Sequence, residues 1–154
     1  MLGRMKTKLP PPLVLLIAGG IAWVIDWLLP SWRLPIEGMH TLAGMLTGAA
    51  LTLMFAAAWW IIRHHTTLNP MHPEQASHLI TSGPFRRSRN PIYLADALLL
   101  AAWLAWLGNI VSVVLLPAFV IYLNYFQIRP EEQALAVKFG EDYRAYCRRV
   151  RRWI

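Results

Sequence analysis

The sequence predicts an all-α integral membrane protein with four spanning helices followed by a cytoplasmic amphipathic helix, and three observations predict it. The 154 residues are 56% hydrophobic and 15% charged, whereas soluble domains average about 45–50% apolar and about 25% charged residues. Four stretches close to the length of a membrane-crossing helix are almost free of charge. The lysines and arginines fall in alternate segments between those stretches.

The composition also excludes several classes. Eight Trp, five Tyr and five Phe are too many large apolar side chains for a disordered chain. One cysteine, Cys147, permits neither an internal disulfide nor a cysteine-rich zinc site.

The first span is Leu13–Leu29, after a basic stretch containing Arg4, Lys6 and Lys8. The bulky run Leu28-Leu29-Pro30-Ser31-Trp32 lacks the small residues of a signal-peptide cleavage site, so a retained helix is expected. Asp26, near its far end, is expected to pair with Arg33 at the interface. The second span is Thr41–Ile62. Gly44 and Gly48 form a small-xxx-small pair that would admit a neighbouring helix. Trp59-Trp60 and His64-His65 at its end read as an interfacial belt. Adjacent histidines on a helix point about 100° apart and chelate one ion poorly.

The third span, Ile92–Leu107, follows Arg89-Asn90-Pro91, and Gly108-Asn109 leaves only a tight turn before the fourth, Ile110–Ile128. These two form a helical hairpin. The spans hold 17, 22, 16 and 19 residues, near the roughly 20 that cross a ~30 Å hydrocarbon core. Residues 63–91 form a loop and 129–154 a tail, the whole chain 1–154 reading as a single membrane domain. In the tail Leu135, Phe139, Tyr143, Tyr146, Val150 and Trp153 fall within about 80° of a helical wheel. Arg144, Arg148, Arg151 and Arg152 fall opposite, as on a helix lying on an anionic leaflet or packed on the bundle. Gly140 is a candidate break.

Three Lys/Arg precede the first span, one follows it, four follow the second, none lies in the hairpin turn and seven follow the fourth. The positive-inside rule therefore places both termini and the 63–91 loop in the cytoplasm. Because topology accounts for the net charge of +7, no nucleic-acid partner is implied.

The polar groups hardest to explain as packing lie on that face. Asn90-Pro91 has the form of an N-cap with proline in the first turn, which would leave backbone N–H groups and a positive dipole end for an anion. Glu131-Glu132 would open a helix after Pro130, where acids also serve the helix itself. Asp96 shares a helical face with Tyr93 and Arg89, and an acid within a span is costly enough to suggest a purpose. It could pair with Arg89, or take a proton from a bound ligand or bind its cation. His72 and His78 lack metal-site spacing, and Cys147 has no evident His partner, so no metal or thiol chemistry is expected.

Gly83-Pro84-Phe85, the run Arg89-Asn90-Pro91-Ile92-Tyr93, Glu131-Glu132 and Phe139-Gly140-Glu141-Asp142-Tyr143 resemble the integral membrane methyltransferases related to isoprenylcysteine carboxyl methyltransferase and the phospholipid N-methyltransferases. The resemblance covers about residues 69–154 and implies a cytoplasm-facing pocket for S-adenosylmethionine, with a lipophilic or lipid-linked acceptor arriving from the bilayer. It places Ser77, His78, Leu79 and Ile80 against the cofactor by their backbone, with Phe85 near it. Asn90, Pro91, Ile92, Tyr93, Glu131 and Glu132 complete the cofactor set. Arg89 and Asp96 are the candidates for the reacting end. Asn90 stands where the prenylcysteine enzymes carry histidine, and Tyr125-Phe126-Gln127-Ile128 stands where they carry a substrate-binding arginine. Oxygen, nitrogen and sulfur acceptors are all compatible with what remains. Two alternatives stay open: a non-enzymatic four-helix transporter or assembly subunit using Asp26 or Asp96, and a sterol-reductase-like enzyme meeting NADPH phosphates with Arg86, Arg87 and Arg89.

Overall fold

A computed structural model describes residues 9–64 and 78–154. The described residues form five α-helices: α1 (Pro11–Leu28), α2 (Met39–Arg63), α3 (Pro91–Leu107), α4 (Leu115–Leu123) and α5 (Arg129–Arg149). Among the described residues there is no strand, only an isolated bridge between Arg33 and Asn109. The boundaries follow local chemistry. Proline occupies the first turn of α1 and of α3, where its missing N–H leaves no intrahelical bond unmade. Gly108 ends α3 in the left-handed conformation, φ 66°, which glycine adopts without a Cβ penalty. A 3₁₀ turn, Ile110–Val114, then leads into α4.

α1, α2 and the helical run Ile110–Arg149 are each long and apolar enough to cross a membrane, while α3 is a shorter apolar helix. Its 17 residues reach about 25 Å at 1.5 Å per residue. Large apolar side chains point outward: Leu16, Trp27, Phe55 and Met45 are all about 70% exposed. Such an outward face suits lipid, which gains nothing from hiding leucine inside. Association of the helices then depends on close backbone approach and interhelical hydrogen bonds.

Both are visible. α3 is the central element, packed along α2 and against α1 and α4. Ala43, Ala50 and Ala57 of α2 are buried, and their seven-residue repeat keeps them on one stripe, where small side chains allow contact. Ala18 and Ala22 of α1 meet Tyr93, Leu100 and Leu104 of α3 and Phe119 and Leu123 of α4. Trp103 Nε1 donates to the Gly19 carbonyl at 3.1 Å, and Asn109 Nδ2 to that of Leu29 at 2.9 Å.

Three expectations require correction. Gly44 and Gly48 admit no helix among the described residues, since an added Cβ at either meets nothing within 4 Å. The neighbouring stripe of Ala43, Ala50 and Ala57 is the buried face instead. Second, Glu131 and Glu132 do lie in the first turn of α5 beside Pro130, but no break precedes it. α4 passes through a π turn, Asn124–Ile128, directly into α5, and such a widened turn relieves the loss of a donor and the steric conflict a proline brings to a helix. Third, α5 ends at Arg149, so the helical wheel does not apply to Arg151 and Arg152. Gly140 does interrupt α5, at φ 52° and ψ −121°.

Gly83, at φ +60°, faces Trp60, whose ring would lie 2.4 Å from an added Cβ. Gly83→Ala combines left-handed strain with overpacking, at about 1–3 kcal/mol each. Thermal unfolding in detergent is expected to show a midpoint several degrees lower for Gly83→Ala and an unchanged one for Gly48→Ala.

Candidate functional site

The residues before α3 and the end of the chain are bound together at one end of the bundle. The 3₁₀ turn Gly83–Arg86 is tied to α2 by Trp60 Nε1, which donates to Ser82 Oγ at 2.8 Å, and to α5 by Tyr146, whose hydroxyl donates to the Phe85 carbonyl at 2.6 Å. Beyond α5, Val150 is extended, and the chain runs back across the start of α3. Arg89 N donates to the Arg151 carbonyl at 3.0 Å. Asn90 Nδ2 donates to that of Arg152 at 2.9 Å, and Trp153 Nε1 to Asn124 Oδ1 at 3.2 Å. Thus Asn90 precedes α3 without capping it by its side chain; its amide is committed to the terminal segment.

Within this frame the two glutamates have different partners. Glu132 lies between two guanidiniums: Arg89 Nη2 donates to Oε1 at 2.8 Å, and Arg152 donates through Nε to Oε1 at 3.0 Å and through Nη2 to Oε2 at 2.6 Å. Arg89 Nη1 also donates to the carbonyls of Val150 and Cys147 at 3.0 and 3.2 Å. Its buried Nε has no acceptor among the described residues. Glu131 instead accepts from the Tyr93 hydroxyl at 3.0 Å. Burial pushes the Glu131 carboxyl up to about 7, against the opposing pull of the Tyr93 hydrogen bond and with a further push from the charge of Glu132.

Beside this network opens a cavity of about 520 Å³ lined by Arg89, Arg129, Glu132, Gln133, Ala136, Tyr143, Arg144, Cys147 and Arg148. Tyr93 and Glu131 are outside its lining. Leu79 packs on Tyr143 and Tyr146, and Ile80 is buried. His78 is exposed, Phe85 and Ile92 are half-buried, and Pro91 is buried. Ser77, His65 and His72 lie outside the described residues. Asp96 is buried one turn beyond Tyr93 and makes no hydrogen bond or ion pair with a described residue. The alternative of an Arg89–Asp96 pair is therefore replaced by Arg89–Glu132.

Sequence reasoning missed Arg152 and Ser88. Arg152 was placed on an outward face because the helix was extended past its end, whereas the extended segment turns it inward to Glu132. Ser88 is buried, with Oγ accepting from Asn90 N at 3.1 Å, and no spacing signalled it.

The family model described as Phospholipid methyltransferase matches residues 39–142. An uncharacterized protein of Haemophilus influenzae is 44% identical over 63 residues, covering 41% of this chain and 100% of that protein. No solved structure matches.

Glu132→Ala would leave the largely buried Arg89 without its carboxylate, a loss expected to cost about 3 kcal/mol. Thermal unfolding in detergent should register it, whereas Arg144→Ala, which breaks an exposed pair with Glu141, should change stability by less than about 0.5 kcal/mol.

Proposed function

The chain belongs to the phospholipid methyltransferase family, and from that premise we propose that it transfers a methyl group from S-adenosylmethionine to a lipophilic acceptor at the cytoplasmic face of the membrane. The observation that carries this reading is the meeting of Tyr93-Glu131 with Arg89-Glu132 where α3 begins and α5 leaves the bundle. When bound, the cofactor supplies an electrophilic methyl on a sulfonium.

The chain's own groups fit such a zwitterion. Glu131, whose only hydrogen-bonding side chain among the described residues is a neutral hydroxyl, is the carboxylate available to an ammonium or to ribose hydroxyls. The first turn of α3 offers the N–H groups of Ile92 and Tyr93 to a carboxylate, those of Arg89 and Asn90 being taken by the Arg151 carbonyl and Ser88 Oγ, and the buried Nε of Arg89 is a donor without an acceptor among the described residues. The rings of Tyr93 and Phe85 are suited to stabilising a nearby cation. The backbone of 77–80 and the first turn of α3, Asn90 to Ile92, complete the enclosure. Arg89 acts by holding Glu132 and the terminal segment. Asp96, within the bundle and without a partner among the described residues, would bind the acceptor's cation or take its proton. Little else is required, because methyl transfer proceeds once nucleophile and methyl are aligned in a dry site. The competing nicotinamide reading loses one of its three arginines, since Arg89 is already engaged by Glu132.

The cytoplasmic assignment rests on the basic residues after α2 and α4, which share this end of the bundle.

Calorimetry on the purified protein in detergent is expected to show binding of S-adenosylhomocysteine, weakened at least tenfold by Glu131→Ala or Tyr93→Ala. A folded protein that gives no binding heat would overturn the proposal. The pH dependence has a definite sign. A carboxyl raised to about 7 is increasingly protonated as pH falls below 7, so affinity should decline from pH 8 to 6, and Glu131→Gln should flatten that decline.

A further inference from the structure

At the other end of the bundle, about 25 Å away along the 17-residue α3, lies a second cavity that methyl transfer does not use. It measures about 550 Å³ and includes Asp26, Arg33, Met39, His40 and Trp106 in its lining. We propose that this cavity is a phospholipid site, taking the phosphate of a membrane lipid headgroup on Arg33 and His40.

Arg33 is fixed by Asp26, which is buried: Nε donates to Oδ1 at 2.6 Å and Nη2 to Oδ2 at 2.5 Å. That fork orients the guanidinium, half-exposed, while Nη1 has no partner among the described residues. A donor aimed in this way suits a phosphate oxygen. The backbone behind it is held too, Leu34 N donating to the Gly108 carbonyl at 2.9 Å. The exposed imidazole of His40 is set edge-on to the Trp106 ring, centroids 4.6 Å apart at 78°, and supplies a second donor. Leu34, Ile36 and Leu107 give apolar walls suited to a glycerol and the first methylenes of its chains.

The level of the cavity favours a lipid over a soluble anion. Trp27, Trp32 and Trp106 are 70%, 54% and 55% exposed at this end, and tryptophans gather at the depth of the headgroups. The site is independent of the methyl-transfer reading, since it shares no residue with it.

The test is native mass spectrometry of the full chain, delipidated in maltoside, with added dihexanoylphosphatidylglycerol. One tightly retained lipid is expected, with occupancy reduced at least fivefold by His40→Ala and by Arg33→Lys, which keeps a charge for Asp26 but removes the fork. His40→Ala touches no ion pair, so a folding failure of the Arg33 variant leaves the test intact. Tyr93→Ala, at the far end, should leave occupancy as it was. Retention unaffected by His40→Ala, or equal retention of dihexanoylglycerol, which lacks the phosphate, would overturn the proposal. Inorganic phosphate displacing the lipid at equal concentration would reassign the site to a free anion and overturn its lipid character.

Discussion

The carboxylate of Glu132, shared by Arg89 and Arg152, is the interaction on which the arrangement at this end of the bundle depends. Three segments far apart in sequence meet there: the residues before α3, the start of α5 and the extended end of the chain. Each alone would leave a poorly solvated charge. Together they satisfy most of one another's donors and acceptors, and the terminal segment is further fastened to Arg89 and Asn90 by its carbonyls. A buried ion pair contributes less to stability than to specifying a single arrangement, because desolvation offsets much of its attraction. Here the arrangement specified is the closure of the chain end across the N-terminus of α3.

Much of the fold was legible because a membrane simplifies the choices. Spans must be helical and of limited length, so charge-free runs located α1, α2 and α3 to within a few residues, and Asp26 with Arg33 was readable from an acid near a helix end with a cation just beyond. What failed were inferences from local signals that tertiary structure overrides. Gly44 and Gly48 satisfy a packing motif but lie beside the contacting stripe of Ala43, Ala50 and Ala57. Pro130 looked like a helix boundary, yet the π turn at Asn124–Ile128 absorbs it. Neither stripe choice nor a π turn leaves a distinct mark in one sequence.

At the start of α3 the sequence was more informative about which polar residues meet than about how they pair. Tyr93, Arg89, Asn90, Glu131 and Glu132 do come together, with partners that the spacing did not single out. Arg89 bonds to Glu132, which removes one of the three alternatives left open for Asp96, and the Asn90 side chain bonds to a carbonyl rather than capping its helix. The reason is the terminal segment. Its carbonyls and Arg152 compete for the same donors and acceptors, and a helical wheel continued through residues 150–153 pointed them the wrong way.

The continuous passage from α4 to α5 also divides the acid pair between two roles. Successive residues on a helix point about 100° apart, so Glu131 and Glu132 cannot face the same neighbours. Glu132 meets two cations and its charge is more than balanced, whereas Glu131 meets a neutral phenol and lies in surroundings that already disfavour its ionised form. A cation arriving beside Glu131 would relieve that imbalance and lower its carboxyl back toward the ordinary range. Under the proposed reading this is how the site distinguishes a sulfonium-bearing zwitterion from a plain anion: Glu132 organises the protein, and the charge left over belongs to Glu131.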